Sequence, residues 1–244
     1  MVGVGRQAGR RGLFAGAAAV VVMTLGTLLG WRAMGAMFSS LDTRHGHRPL
    51  EIETSWAIWL SSVAAAHGRH LGWVGSFGSD NLSPRVVPSW IAGLAYALTV
   101  GVQVTGVTAA ALLRRLKGAD LGFDVLAWLA LAVVAASLAV APVISPQYIL
   151  WLLAAECCVL VCDPGRGSAT MGVAVAVVAA LTQYGFPFLF DRLKAGVALA
   201  LMVTGSRDAL LVAVAAGAVV AVARRSRAHS SRTRGTPILL EGNP

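Results

Sequence analysis

Between Ser39 and Thr54 the chain brings three carboxylates (Asp42, Glu51, Glu53), two imidazoles (His45, His47) and two guanidinium groups (Arg44, Arg48) into one short segment. The segment leads straight into a tryptophan-rich piece, Ser55-Trp56-Ala57-Ile58-Trp59-Leu60. Arg48 has the planar fork that grips a phosphate through two parallel hydrogen bonds. Glu51 or Glu53 could take a proton from a hydroxyl or bind the hydroxyls of a sugar. The same groups could instead pair with one another in a solvated loop, and composition does not choose between the two. A second polar piece, Ser145-Pro146-Gln147-Tyr148, sits inside the longest apolar run and is followed by Leu150 and Trp151. Gln147 and Tyr148 there either touch a ligand or face lipid headgroups at a hairpin turn. A third, Phe77-Gly78-Ser79-Asp80-Asn81-Leu82, reads as a structural turn ahead of an apolar run. Two charged features lie within apolar surroundings. Glu156 falls about two turns into an expected span, where a carboxylate is expensive, so a neutral form in a helix interface is the favoured reading. Arg207-Asp208 reads as a helix start at the outer surface, with Asp208 near the positive end of the helix dipole.

The elements that must position these groups are set by the solvent the composition demands. Of the 244 residues 57% are hydrophobic and 13% charged, and the mean hydropathy is +0.71, which a soluble domain could not cover with polar surface. A membrane-crossing helix needs roughly 20 apolar residues to span about 30 Å of hydrocarbon. Leu13 to Trp31 is free of charge and follows Arg6, Arg10 and Arg11, and its length favours a span over a signal peptide. Val86 to Leu113 supplies the second span. Val125 to Cys162 is too long for one crossing and is interrupted by Pro142 and Ser145-Pro146, giving a hairpin of two. Gly167 to Phe190 is the fifth span and Ala209 to Ala223, extendable upstream through Arg207, the sixth. The expected fold class is thus an all-α polytopic bundle of about six spans. Two further apolar pieces, 55–66 and 195–206, are too short to cross and are expected as re-entrant or interfacial helices on the outer side.

With the N-terminus in the cytoplasm, twelve of the 20 Lys and Arg fall on the inner side, in agreement with the positive-inside rule. Both termini are then cytoplasmic, in a multi-pass cell-membrane protein. Residues 1–228 form the expected transmembrane domain, and 229–244 an unstructured basic tail. The formal charge of +9 resides at span ends and in the tail, so nucleic acid is not an expected partner. The chain has no phosphate-binding G-x-x-x-x-G-K-[ST] loop, no G-x-S-x-G elbow and no H-E-x-x-H pair, and Gly3-Val4-Gly5 lacks a preceding strand. Cys157, Cys158 and Cys162 lie within or at the end of one apolar run and read as small core residues. Neither a metal nor a cofactor is called for.

In three places, in the same order, the chain resembles the actinobacterial membrane glycosyltransferases of the GT-C superfamily, family 87, which includes polyprenyl-phosphate-mannose-dependent mannosyltransferases. A family loop resembling Y-H-x-x-R-x-L-Q-I-E-S is matched by His45 to Thr54, H-G-H-R-P-L-E-I-E-T, which keeps Arg48, Leu50, Ile52 and Glu53 but has Glu51 for Gln and Thr54 for Ser. A G-S-x-N-L turn is matched by Gly78, Ser79, Asn81 and Leu82. The S-P-Q-Y-x-x-W motif, the most specific of the three, is matched from Ser145 to Trp151. The resemblance covers nearly all of this chain and the C-terminal half of the family architecture. The aspartate expected to act in catalysis belongs to the upstream half, so no catalytic residue is assigned, and the chain is expected to be a portion of a longer reading frame or a half that assembles with another chain.

The resemblance implies an inverting transfer of a sugar, with mannose the expected one, from a polyprenyl-phosphate donor to a lipid-linked or glycan acceptor on the outer membrane face. It implies substrate-binding roles for His47, Arg48, Glu51, Glu53, Gln147 and Tyr148, with Arg48 facing the leaving phosphate and the two glutamates the acceptor. The alternative is a non-catalytic scaffold or lipid-binding partner that kept the fold. A small-solute transporter is less favoured, since no inverted repeat is visible.

Overall fold

A computed structural model describes residues 49–76, 78–117 and 121–234. The expected first span at 13–31, together with His47 and Arg48, lies outside the described residues.

The described chain opens with Leu50 to Thr54 and a short helix, α1 (Ser55–Ala66). Thr54 starts that helix as its N-cap: its hydroxyl accepts from the Ala57 amide at 3.2 Å and donates to the Glu51 carbonyl at 2.8 Å, satisfying an amide that the helix itself cannot. A two-stranded antiparallel hairpin follows, β1 (Trp73–Ser76) and β2 (Ser79–Leu82). Where the sequence suggested only a turn, Gly78 supplies the positive φ of 75° that closes a hairpin. Then come α2 (Ser89–Lys117), α3 (Phe123–Val140), a single 3-10 turn (Pro146–Tyr148), α4 (Ile149–Cys162), α5 (Arg166–Gln183), a π-turn (Tyr184–Phe188), α6 (Phe190–Lys194) and α7 (Ala198–Arg234).

Four helical stretches, Ser89–Leu116, Phe123–Val140, Arg166–Phe188 and Ala198–Ala228, are long and apolar enough to cross a membrane. They leave large apolar side chains such as Leu98, Val107, Val173 and Val219 exposed, which marks the surface of an α-helical membrane protein. Among the described residues, where five of the six expected spans fall, four such helices are present. The long run from Val125 to Cys162 does break at Pro142 and Ser145-Pro146, but its second limb, the 14-residue α4, is short for a crossing, because Pro146 and the 3-10 turn consume its first residues.

The largest correction concerns the last third. Residues 195–206, expected as a separate re-entrant or interfacial piece, are mostly the first turns of α7, which runs unbroken for 37 residues. Arg207 and Asp208 therefore lie about ten residues into a helix, not at its start, and the dipole role expected for Asp208 is withdrawn. The helix tolerates them because their charges are paired. Arg207 Nε and Nη2 donate to Asp208 Oδ1 at 2.9 and 2.7 Å, and Nη2 also donates to the Glu53 carbonyl. The helix also continues six residues past 228, where the basic tail was expected to begin; the rest of that tail lies outside the described residues.

α3 is central, packed against α7, α4 and α2, while α5 fills the space between α4 and α7. Trp128, Leu131, Leu152, Val159, Val175, Leu211 and Val214 form the main core. Two smaller clusters lie beneath the polar segment: Leu50 with Leu82 and Ala95, and Ile52 with Ile58, Leu189 and Leu201.

Candidate functional site

The segment Leu50 to Glu53 is placed by alternation. Leu50 and Ile52 are buried in the two small clusters, and Glu51 and Glu53, out of phase with them, line an open cavity of about 680 Å³. The backbone then ties in the other two motif pieces. The Leu82 amide donates to the Leu50 carbonyl at 2.8 Å, the Ile52 amide to Asp80 at 3.0 Å, and the Glu51 amide to Pro142 at 3.0 Å. The Trp56 indole donates to the Val140 carbonyl at 2.9 Å, fixing α1 to the end of α3.

The hairpin forms the second wall through Gly75, Ser76 and Gly78 to Asp80. Asn81, wholly buried, holds its shape by donating to the carbonyls of Ser76 at 2.8 Å and Ser79 at 3.0 Å. Asp80 pairs with Lys194 at 2.7 Å, and this contact holds the Lys194 ammonium above its ordinary value. The Trp73 indole donates to the Lys194 carbonyl at 2.9 Å, so the hairpin is fastened to α6 twice. The third wall is Ser145, Pro146 and Gln147, and the fourth is Phe186 with Phe190, whose rings meet edge to face at 5.4 Å.

Of the residues singled out from sequence, Glu51, Glu53 and Gln147 thus share one cavity. Tyr148 is not part of its lining. Its ring stacks on Trp151 with centroids 5.0 Å apart and packs against the main core, because the 3-10 turn points residue 147 and residue 148 in different directions. Asp80, Phe186 and Phe190 were not anticipated. Pro187, inside the fifth apolar run just where the aromatic wall forms, was the available signal.

Burial dominates the electrostatics. It pushes the Glu53 carboxyl up to about 7, opposed by the positive charge of Arg207 and reinforced by Glu51 and Asp208. The described lining contains three acidic side chains, one amide and two phenyl rings but no cationic side chain. Such a surface suits a polyhydroxylated ligand: carboxylates and the amide engage hydroxyl groups, and ring faces meet apolar C–H edges. Among the described residues no three His, Cys, Asp or Glu side chains are grouped to ligate a metal.

Comparison of the chain with protein-family models, with curated proteins and with solved structures returned no match in any of the three.

Proposed function

We propose that this chain is a membrane glycosyltransferase, or the C-terminal portion of one, that transfers a sugar from a polyprenyl-phosphate donor to a lipid-linked or glycan acceptor at the outer face of the membrane. The observation that carries this reading is the meeting of three motif pieces, distant in sequence, around one cavity: Glu51 and Glu53, Gly78 to Asp80, and Ser145 to Gln147. Glu51, Glu53 and Gln147 bind acceptor hydroxyls. Arg48, five residues before Glu53, is assigned the leaving phosphate, since an oxygen of a lipid phosphate departs best toward a fixed cation. In the reaction an acceptor oxygen attacks the anomeric carbon from the face opposite the phosphate. The new C–O bond forms as the bond to phosphate breaks, the hydroxyl proton passes to a carboxylate, and polyprenyl phosphate leaves with the bond's electron pair. Mannose is the sugar we assign, following the resemblance of the Arg48-to-Glu53 loop and the Ser145-to-Trp151 motif. We place the cavity outside and both termini in the cytoplasm, on the strength of the basic residues at the opposite helix ends.

A second reading is favoured by the absence of a cation from the described lining: a non-catalytic partner that binds a glycan or lipid-linked sugar and leaves transfer to another chain. Purified chain in proteoliposomes, given radiolabelled polyprenyl-phosphate mannose and a membrane-lipid extract, separates the two. Labelled lipid or glycan product, lost in Arg48→Ala with membrane insertion intact, supports transfer. Full turnover by Arg48→Ala refutes that assignment, and saturable sugar binding without product favours the partner.

A further inference from the structure

Arg207 belongs to none of the motif pieces, yet it sits directly beneath one. It is 2% exposed, within a helix long enough to cross the bilayer, and its guanidinium reaches across 154 positions of sequence to the backbone carbonyl of Glu53. That carbonyl is open to it for a local reason: Thr54 caps α1 and occupies the Ala57 amide through its hydroxyl, so the helix does not use the Glu53 oxygen. A neutral side chain could satisfy one carbonyl at far lower cost than a buried cation. What the cation adds is a charge among acids. Around it stand Asp208 on α7, Glu53 and Glu51 on the cavity segment and, across the cavity, Asp80, already paired with Lys194. Burial and the charges of Glu51 and Asp208 favour the protonated form of Glu53, and the charge of Arg207 opposes them.

We propose that Arg207, with its partner Asp208, is the positioning residue of the cavity: it holds the Glu53 backbone from below and, through its charge, sets the proton occupancy of the Glu53 carboxyl that faces the acceptor. The catalytic meaning of this rests on the sugar-transfer reading; the placement and the coupling do not. With Arg207 in place Glu53 exchanges its proton near neutrality, the condition under which a carboxyl both accepts a proton from an attacking hydroxyl and releases it to solvent in each cycle. Without the cation the carboxyl holds its proton to higher pH.

The test is infrared titration of the full chain in lipid nanodiscs, following the protonated-carboxyl band that disappears in Glu53→Gln. The wild-type band is expected to titrate near 7. Arg207→Gln raises the proton affinity of that band about tenfold, Arg207→Lys keeps it within about threefold of wild type, and Asp208→Asn lowers it by about threefold, since removing that negative charge strengthens the field of Arg207. A purely structural arginine would not give opposite shifts for its own loss and for the loss of its partner. Unchanged midpoints in both Arg207→Gln and Asp208→Asn overturn the proposal, as do shifts in the same direction. Should Arg207→Gln fail to accumulate, Asp208→Asn decides: an unmoved midpoint sinks the idea. Normal shifts in a chain that transfers no sugar count against the transfer reading alone, and transfer without the shifts counts against Arg207 alone.

Discussion

Glu53 is an acid that the fold prefers to keep protonated, and this has a measurable sign. Its ordinary value of 4.5 is raised to about 7 in the folded chain, so between those limits the folded state binds a proton that the unfolded state has released. Stability from this group is fully present below about 4.5 and is lost as pH rises through about 7, with a ceiling of about 3 kcal/mol. Glu53→Gln, neutral throughout, is therefore expected to lose less apparent melting temperature than wild type when detergent-solubilised protein is taken from acid to mildly alkaline pH. Identical pH profiles for the two proteins would exclude Glu53 as the titrating group. Asn81 is a residue of another kind. Its amide closes the hairpin from inside, and Asn81→Ala should cost about 2 kcal/mol in unfolding experiments, leaving two carbonyls without their donor. Much at this scale was legible. Glu51 and Glu53 stood out in a dense polar segment and Gln147 as a polar residue inside the longest apolar run. Arg207 did not, because a charged pair in an apolar run looks the same whether it ends a helix or is neutralised inside one, and its partner at Glu53 is fixed only by tertiary packing.

Helix contacts at two glycines show what the elements require of one another. A Cβ at Gly106 of α2 would collide with Val133 of α3, a β-branched side chain with little freedom to turn aside. A Cβ at Gly217 of α7 would meet only the terminal methyl of Met171, at 2.8 Å, and that flexible side chain can swing away. Gly106→Ala should then destabilise the bundle by about 1–3 kcal/mol and Gly217→Ala by much less. Val133→Ala should recover most of the Gly106→Ala loss. Equal effects at the two glycines, read from thermal unfolding in detergent, would contradict this account of α2 and α3 packing. Element boundaries followed the sequence at Pro142 and Pro146. They departed from it where a tertiary contact did, as in the unbroken α7 and in the hairpin that Asn81 closes.

Across the whole molecule, the cavity lies where α3 and α5 end and where α2, α4 and α7 begin. At the far end stand Arg114, Arg115, Arg166, Arg224, Arg225 and Arg227, and Arg225 pairs with Asp163 while lying over the Trp128 ring at 4.8 Å. Positive charge at one end of a bundle predicts its cytoplasmic side. A reporter fused after Arg227 should be active only as a cytoplasmic fusion, and a cysteine placed at Ser79 should react with an impermeant reagent from outside. The opposite pattern would invert the orientation. The charge bias was readable from the chain; that the three motif pieces share one end of the bundle required the fold. Within α7, Arg207 and Arg225 are eighteen positions apart, which is five full turns, so they project from one side of the helix at a separation of about 27 Å. The stretch between them works as a measuring rod with a catch at each arginine. Inserting one alanine midway would turn the two arginines about 100° out of alignment, so that seating Arg225 beside Asp163 would pull Arg207 away from Glu53, and the length of one helical stretch would be felt at both contacts at once.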